Sequence, residues 1–318
     1  MGGHVFAGGS SPIRKEDIKP TLTRFIQDFL RVFPKAKGHF EGIKTLGSTG
    51  KKDISGDIDL ALDEKAFSNI KDWGLTQKEV DTYFTQFQKR ARSASKQQLT
   101  KRAVICCIAD KLEAESSRIK TDTKGSGNGT LFCQYPQFNS KGEFLDKDVQ
   151  IDINIGDINW LSFAYYSDSY QGNVKGLHRT QLMLSLFTHK GYTFSHNYGV
   201  KKKETGELVA SNPEQAIDLL NTLYGFNLDQ ETLQNYFKLQ EFLKNHLSSE
   251  ELHAIWDRYL KILDSTRCDV PADLQEYWLD NQERLGLTGK FLPEDSKLYP
   301  FRDEDMKSTS LAEIALNS

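Results

Sequence analysis

No apolar run in this 318-residue chain approaches the ~20 residues that a membrane-crossing helix needs, so no spanning segment and no membrane partner are expected. The opening residues, MGGHVFAGGSSPIRK, lack the apolar core of a signal peptide. They are Gly-rich, but no Gly-Lys-Ser/Thr follows, which excludes a P-loop. Cysteine is scarce. Cys106, Cys107, Cys133 and Cys268 have no zinc-ligand spacing, so reduced core thiols and a cytoplasmic protein are expected. His178, His189 and His196 fall in no His-x-x-x-His pattern, which speaks against a zinc site. Neither sign of charge dominates: 41 Lys and Arg face 44 Asp and Glu, so net charge gives no reason to expect nucleic-acid binding. No internal repeat occurs. What is present is a globular composition, 38% hydrophobic and 27% charged, on a chain long enough for two or three subdomains.

Periodicity predicts the elements. Ile18, Leu22, Phe25, Ile26, Phe29 and Leu30 carry helical spacing over Asp17–Phe33, and Pro34 stops it. Phe40–Leu46 and Asp57–Leu62 read as strands joined through Gly47-Ser48. Thr76–Arg92 and Lys96–Ile119 read as helices, and Thr121–Gly129 as a polar, Gly-rich loop. Thr130–Tyr135 and Val149–Ile155 read as a hairpin turning at Lys141-Gly142. Helices are expected from His178 and over Glu214–Leu223. Residues 229–287 read as all-helical, with Phe237, Phe242, Leu243, Trp256 and Tyr259 as core. The tail after Pro293 is polar.

One segment carries chemistry. Leu46-Gly47-Ser48 leads through Lys51-Lys52 to Ser55-Gly56-Asp57-Ile58-Asp59-Leu60. Carboxylates at i and i+2 of a strand project from one side, while Ile58 points to a core. Two such carboxylates repel unless a cation lies between them, and an oxygen-only donor set favours Mg²⁺. The Gly-Ser turn can offer backbone amides to an anion. Metal on one side and polyphosphate on the other fit phosphoryl or nucleotidyl transfer. A third carboxylate is available in Asp148–Ile155. Asp152 shares a face with Gln150 and Asn154, with Ile151, Ile153 and Ile155 opposite. Asp148 and Asp157 are its rivals, but only Asp152 lies mid-strand between isoleucines.

These residues resemble the hG-S…S-G-D-h-D-h signature of the DNA polymerase beta-like nucleotidyltransferase superfamily, most closely the family X DNA polymerases. A second stretch, His178-Arg179 and then LFTHKGYTFSHNYGVKKKETGELVASNPEQAIDLLNTLYGF, resembles that family's thumb. The likeness spans roughly residues 40–226. It implies an α+β fold: a mixed-sheet palm with helices over 41–158 carrying a helical insertion at 66–124, after an N-terminal arm and helix at 1–40. A small thumb-like domain at 159–226 and a C-terminal helical region at 227–318 complete the expectation.

The resemblance also implies roles. Asp57 and Asp59 would bridge two Mg²⁺ ions, for which Mn²⁺ can substitute. Asp152 would hold the metal on the nucleophile side and act as base. Gly47, Ser48, Lys51, Lys52, Ser55 and Gly56 would lie at the phosphates of a nucleoside triphosphate. Tyr165-Tyr166 would lie beside its sugar, and His178-Arg179 at a base edge or phosphate. The implied reaction passes a nucleoside monophosphate to a hydroxyl, with a DNA or RNA 3′ end as acceptor. The helix-hairpin-helix modules with which family X grips duplex DNA have no counterpart here. Lys89, Arg90, Arg92, Lys96, Lys101 and Arg102 in the insertion are the candidate nucleic-acid surface, with a solvated helix face as the plain alternative. Lys201–Lys203 reads as a charged hairpin tip. Two other readings stand beside the first: a small-molecule or protein acceptor, and a catalytically silent nucleic-acid-binding protein.

Overall fold

The structure is a computed structural model and describes residues 5–6, 9–90, 95–126, 129–167, 174–266 and 268–287. A short strand, β1 (Ile13–Arg14), leads into the long helix α1 (Lys15–Val32). Ile18, Phe25 and Phe29 recur at helical spacing and are buried. The helix ends ahead of Pro34, which has no N–H to continue the ladder. Next come the one-turn helix α2 (Lys37–Phe40) and the strands β2 (Lys44–Thr45), β3 (Ile54–Ser55) and β4 (Ile58–Asp63). The strand expected over Phe40–Leu46 shrinks to two residues. Phe40 instead closes α2, its ring 4.9 Å from that of Phe29.

The insertion is helical, as α3 (Gln77–Arg90) and α4 (Lys96–Glu115). It is not an appended surface. α4 buries Ala103, Val104, Ile105 and Ile108 in one core with Ile58 and Ile151. Beyond it lie β5 (Lys120–Thr121), the short helix α5 (Thr123–Ser126), β6 (Thr130–Phe138), β7 (Phe144–Gly156) and α6 (Ile158–Ala164). A helical turn thus falls inside the expected loop. The five-stranded sheet runs β2-β4-β7-β6-β5; β4 and β7 are parallel and the other pairs antiparallel.

These elements form one unit, Met1–Tyr166 with Ser195–Gly199. Phe25 and Phe29 of the N-terminal helix share the sheet's core. The second unit spans Ser167–Phe194 and Val200–Ser318. Its described elements begin with α7 (Gly176–His189). The strands β8 (Tyr192–Ser195), β9 (Gly199–Lys202) and β10 (Leu208–Ala210) form a sheet in the order β10-β9-β8. The helices α8 (Pro213–Tyr224), α9 (Gln230–Gln234), α10 (Tyr236–His246), α11 (Ser249–Thr266) and α12 (Gln275–Leu285) follow. α11 packs on α7 through a stripe in which Tyr259, Leu260 and Leu263 are buried. Phe237, expected in that core, is 40% exposed; the buried residues of α10 are Tyr236, Leu239, Gln240 and Leu243. The model is a mixed α+β structure in which no described helix is long and apolar enough to cross a membrane.

Candidate metal centre

The parallel pairing of β4 and β7 sets Asp59 opposite Asp152. On either side, Ile58 is paired with Ile151 and Leu60 with Ile153. All four apolar side chains are buried in the core. Because side chains alternate along a strand, this fixes both aspartates on the other face; a slip of one residue would bury them among isoleucines. Asp57 reaches the same place from just before β4. One oxygen from each of Asp57, Asp59 and Asp152 lies within 4.8 Å of the others.

Three like charges so close are costly. Burial pushes the Asp59 carboxyl well above the usual carboxylate range. The charges of Asp57 and Asp152 add to the rise, and a hydrogen bond from Asn154 opposes it. Burial, and then Asp57, likewise raise Asp152, against a hydrogen bond that Gln150 Nε2 donates to Asp152 Oδ1 at 2.8 Å. Protons or a cation must offset this charge. Three converging carboxylate oxygens, with no nitrogen or sulfur among them, fit a hard divalent cation such as Mg²⁺ or Mn²⁺.

The Gly-Ser turn is stitched to this strand. Leu46 N–H donates to the Asp59 carbonyl at 2.8 Å, and Asp59 N–H donates to Thr49 Oγ1 at 3.0 Å. Gly47 has φ +60°, and a Cβ there would stand 3.2 Å from Asp59 Oδ2. Glycine therefore serves both the left-handed turn and the close approach of backbone to carboxylate. Thr49, which sequence reasoning missed, is buried and fastens the turn; its only signal was a small polar residue following Gly-Ser. Beside the turn is a pocket of about 130 Å³ lined by Thr45, Leu46, Gly47, Thr49, Lys51, Ser162 and Tyr166. The Lys51 ammonium lies 4.7 Å from the centre of the Tyr166 ring. Ser48 and Lys52 are partly exposed on the same segment.

Tyr165 follows α6, and its hydroxyl donates to Asn197 Oδ1 at 3.4 Å. Burial, then the charges of Asp59 and Asp152, raise its phenol well above the usual range. Gly56 is partly exposed beside the carboxylates, whereas Ser55 is 2% exposed and pairs with Ile13. Its hydroxyl is enclosed rather than presented to a ligand.

Other expected contacts are placed elsewhere. His178 is fully buried in the second unit: its Nδ1 accepts from Lys175 N–H at 2.9 Å, and its Nε2 lies 3.0 Å from the Asp269 carbonyl. Arg179 is 2% exposed and donates through Nε to the Leu233 carbonyl at 2.9 Å. Both are hydrogen-bonded to backbone of that unit.

The basic surface also needs correction. Lys101 is 5% exposed, with Nζ 2.9 Å from the Ile155 carbonyl, 3.2 Å from Glu64 Oε2 and 4.3 Å from the centre of the Tyr198 ring. A lysine so enclosed cannot reach a phosphate. Arg102 is half-buried and hydrogen-bonded to Tyr198. Lys89 and Lys96 are exposed. Arg92 lies outside the described residues.

No family model matches this chain, and no curated protein does. Among solved structures it is similar to a crystal structure of polymerase beta from Leishmania infantum in a ternary P/T complex. That similarity has 13% identity and a TM-score of 0.37, over 71% of this chain and 76% of that one. So low a score defines no family and assigns no residue a role.

Proposed function

We propose that this protein is a divalent-metal-dependent nucleotidyltransferase acting on a nucleoside triphosphate. The convergence of Asp57, Asp59 and Asp152 carries the reading. Three carboxylates gathered this closely, with Asp152 buried and Asp57 and Asp59 half-buried, are a costly arrangement that a bound cation relieves. Two Mg²⁺ ions held there would neutralise the triphosphate and lower the pKa of an attacking hydroxyl.

Asp57, Asp59 and Asp152 would hold the divalent metal, which would supply charge neutralisation at the triphosphate. Asp152, from the neighbouring strand, holds the nucleophile side and accepts the hydroxyl proton. The Gly47-Ser48 turn and Lys51 orient the terminal phosphates. Tyr165, pressed against the carboxylates, and Tyr166, in the pocket wall, bound the sugar. The acceptor oxygen bonds to the α-phosphorus as the bond to pyrophosphate breaks.

A nucleic-acid 3′ end is the acceptor that the sequence resemblance implies. The enclosure of Lys101 favours a second reading with the same chemistry, since it removes one cation from the expected nucleic-acid surface. Labelled NTP and dNTP pools should be incubated with Mg²⁺ and DNA, RNA, small nucleotides or protein. Label on a 3′ end supports the first reading, and label on a small molecule or protein the second. No metal-dependent transfer to any acceptor would sink the proposal.

A further inference from the structure

Two buried amides flank Asp152 on β7, and each is held from behind. Gln150 is fully buried. Its Nε2 donates to Asp152 Oδ1 at 2.8 Å, and its Oε1 accepts the Val5 N–H at 3.1 Å. Asn154 is 2% exposed. Its Nδ2 donates to the Asp152 carbonyl at 3.5 Å, its amide lowers the proton affinity of Asp59, and its Oδ1 accepts the Thr130 hydroxyl at 2.8 Å. An amide presents oxygen on one side and NH₂ on the other. A donor fixed at the oxygen therefore forces the NH₂ toward the carboxylate.

The donor on Gln150 comes from a strap. Gln134 Nε2 donates to the Gly9 carbonyl at 2.8 Å and Gln137 Nε2 to the Ser11 carbonyl at 2.9 Å, while Ser11 N–H donates to the Asp148 carbonyl at 2.8 Å. The Gln134 and Gln137 side chains are themselves buried, so the strap is gripped along the strands that carry the site.

We infer that Gln150 and Asn154 are positioning residues that aim the Asp152 and Asp59 carboxylates at a shared cation, and that the Val5 amide and Thr130 hydroxyl aim them in turn. This rests on the metal reading above. The amides are neutral, so they orient the carboxylates without cancelling the charge that attracts the cation. Each occupies lone pairs of a carboxylate from one side and restricts its rotation.

Partners that orient metal ligands typically contribute roughly 10–100-fold to metal affinity. The test is Mn²⁺ titration of the full chain, followed by the electron paramagnetic resonance of free and bound Mn²⁺. Thermal unfolding in EDTA serves as the check on folding. Gln150→Met and Thr130→Val should each weaken Mn²⁺ binding by roughly tenfold or more. Thr130→Ser, which keeps the hydroxyl, should restore it. Val5→Pro deletes the N–H that holds Gln150 and also fixes φ there, and should weaken binding by less than Gln150→Met. Should Gln150→Met fail to fold, Thr130→Val with its serine rescue and Val5→Pro carry the test.

Suppose the parent protein binds Mn²⁺ and Asp59→Ala abolishes the binding, yet the folded variants stay within twofold of the parent. The positioning roles are then wrong while the metal site stands. If the parent shows no Mn²⁺ binding that Asp59→Ala removes, the metal reading itself falls, and this inference with it.

Discussion

The two units bury polar groups to opposite ends. In the second, several buried polar groups meet matching partners: His178 takes the Lys175 amide and faces the Asp269 carbonyl, Tyr259 donates to the His178 carbonyl, and Trp256 donates to Gln240. Lys175 lies 3.7 Å from Asp269. In the first, Asp57, Asp59 and Asp152 converge, and the charge of Asp57 adds to the rise in proton affinity of both Asp59 and Asp152. Burial of polarity alone therefore marks nothing. A site is marked by buried charge of one sign that its neighbours orient and do not neutralise.

The sharpest way to break this contrast is to remove one carboxylate. Asp59→Ala should lower nucleotidyl transfer by orders of magnitude and abolish cluster-bound Mn²⁺. Its metal-free melting temperature should hold or rise, because a buried like-charge contact is gone. Near-parental turnover in Mg²⁺ would refute the site. Arg179→Met should do the reverse. Loss of the bond to the Leu233 carbonyl should cost about 1–3 kcal/mol of stability, with Mn²⁺ affinity unchanged. A folded Arg179→Met that loses nucleotide affinity would return that residue to the site.

Lys101 sharpens the comparison from within the first unit, since it is matched in the manner of the second. Burial pulls its ammonium below the usual range, and Glu64 pulls it back. Lys101→Met should cost about 1–3 kcal/mol by leaving the Ile155 carbonyl without its donor. The salt dependence of any nucleic-acid binding should stay as it was. A slope smaller by about one unit would mean that Lys101 does meet phosphate.

The carboxylates also set a pH dependence. Asp152 is pushed up to about 8 by burial and then by Asp57, against an unfolded value of about 3.9. A folded value above the unfolded one gives stability that is complete below about 4 and is lost as pH rises toward about 8. The metal-free protein should therefore melt lower at pH 8 than at pH 5. Asp152→Asn should flatten that slope, and Mg²⁺ or Mn²⁺ should restore stability at the alkaline end. A parent in EDTA whose stability rises over this range would contradict the crowding of charge.

What the sequence discloses of this site follows strand periodicity. Asp57, Ile58 and Asp59 alternate visibly, as do Gln150, Asp152 and Asn154 against three isoleucines, so both faces could be written down before any fold was known. The parallel register that sets Asp59 against Asp152 is a tertiary fact spanning 93 positions, and only the shared demand to bury isoleucine hints at it. The burial of His178, Arg179 and Lys101 is hidden in the sequence for one reason. Charge in a sequence reads as surface, and nothing local reports that Leu233 or Ile155 offers a carbonyl to a buried cation. Phe40 was misread similarly, as a strand residue, because the aromatic cluster that captures it comes from distant segments. Gly9–Ser11 reads in the sequence as part of a Gly-rich arm because its partners are glutamine side chains more than a hundred positions away.

The smallest expected effect tests the turn that faces the carboxylates. Ser48 follows Gly47, whose backbone approaches Asp59, and precedes Thr49, whose hydroxyl takes the Asp59 amide. Both of those neighbours line the pocket with Lys51 and Tyr166. If terminal phosphates occupy that pocket, Ser48→Ala removes one charge-assisted hydrogen bond and should weaken nucleotide binding by about 1–2 kcal/mol. Turnover of bound nucleotide should be far less affected. Gly47→Val should act through geometry instead. It forces a β-branched residue to φ +60° and sets a Cβ against Asp59 Oδ2, so metal and nucleotide affinity should fall together. Equilibrium binding of a non-hydrolysable triphosphate, with and without Mn²⁺, separates the two. If Ser48→Ala and Gly47→Val both bind as the parent does, the triphosphate does not lie on this turn, and the carboxylates serve a ligand that approaches from another side.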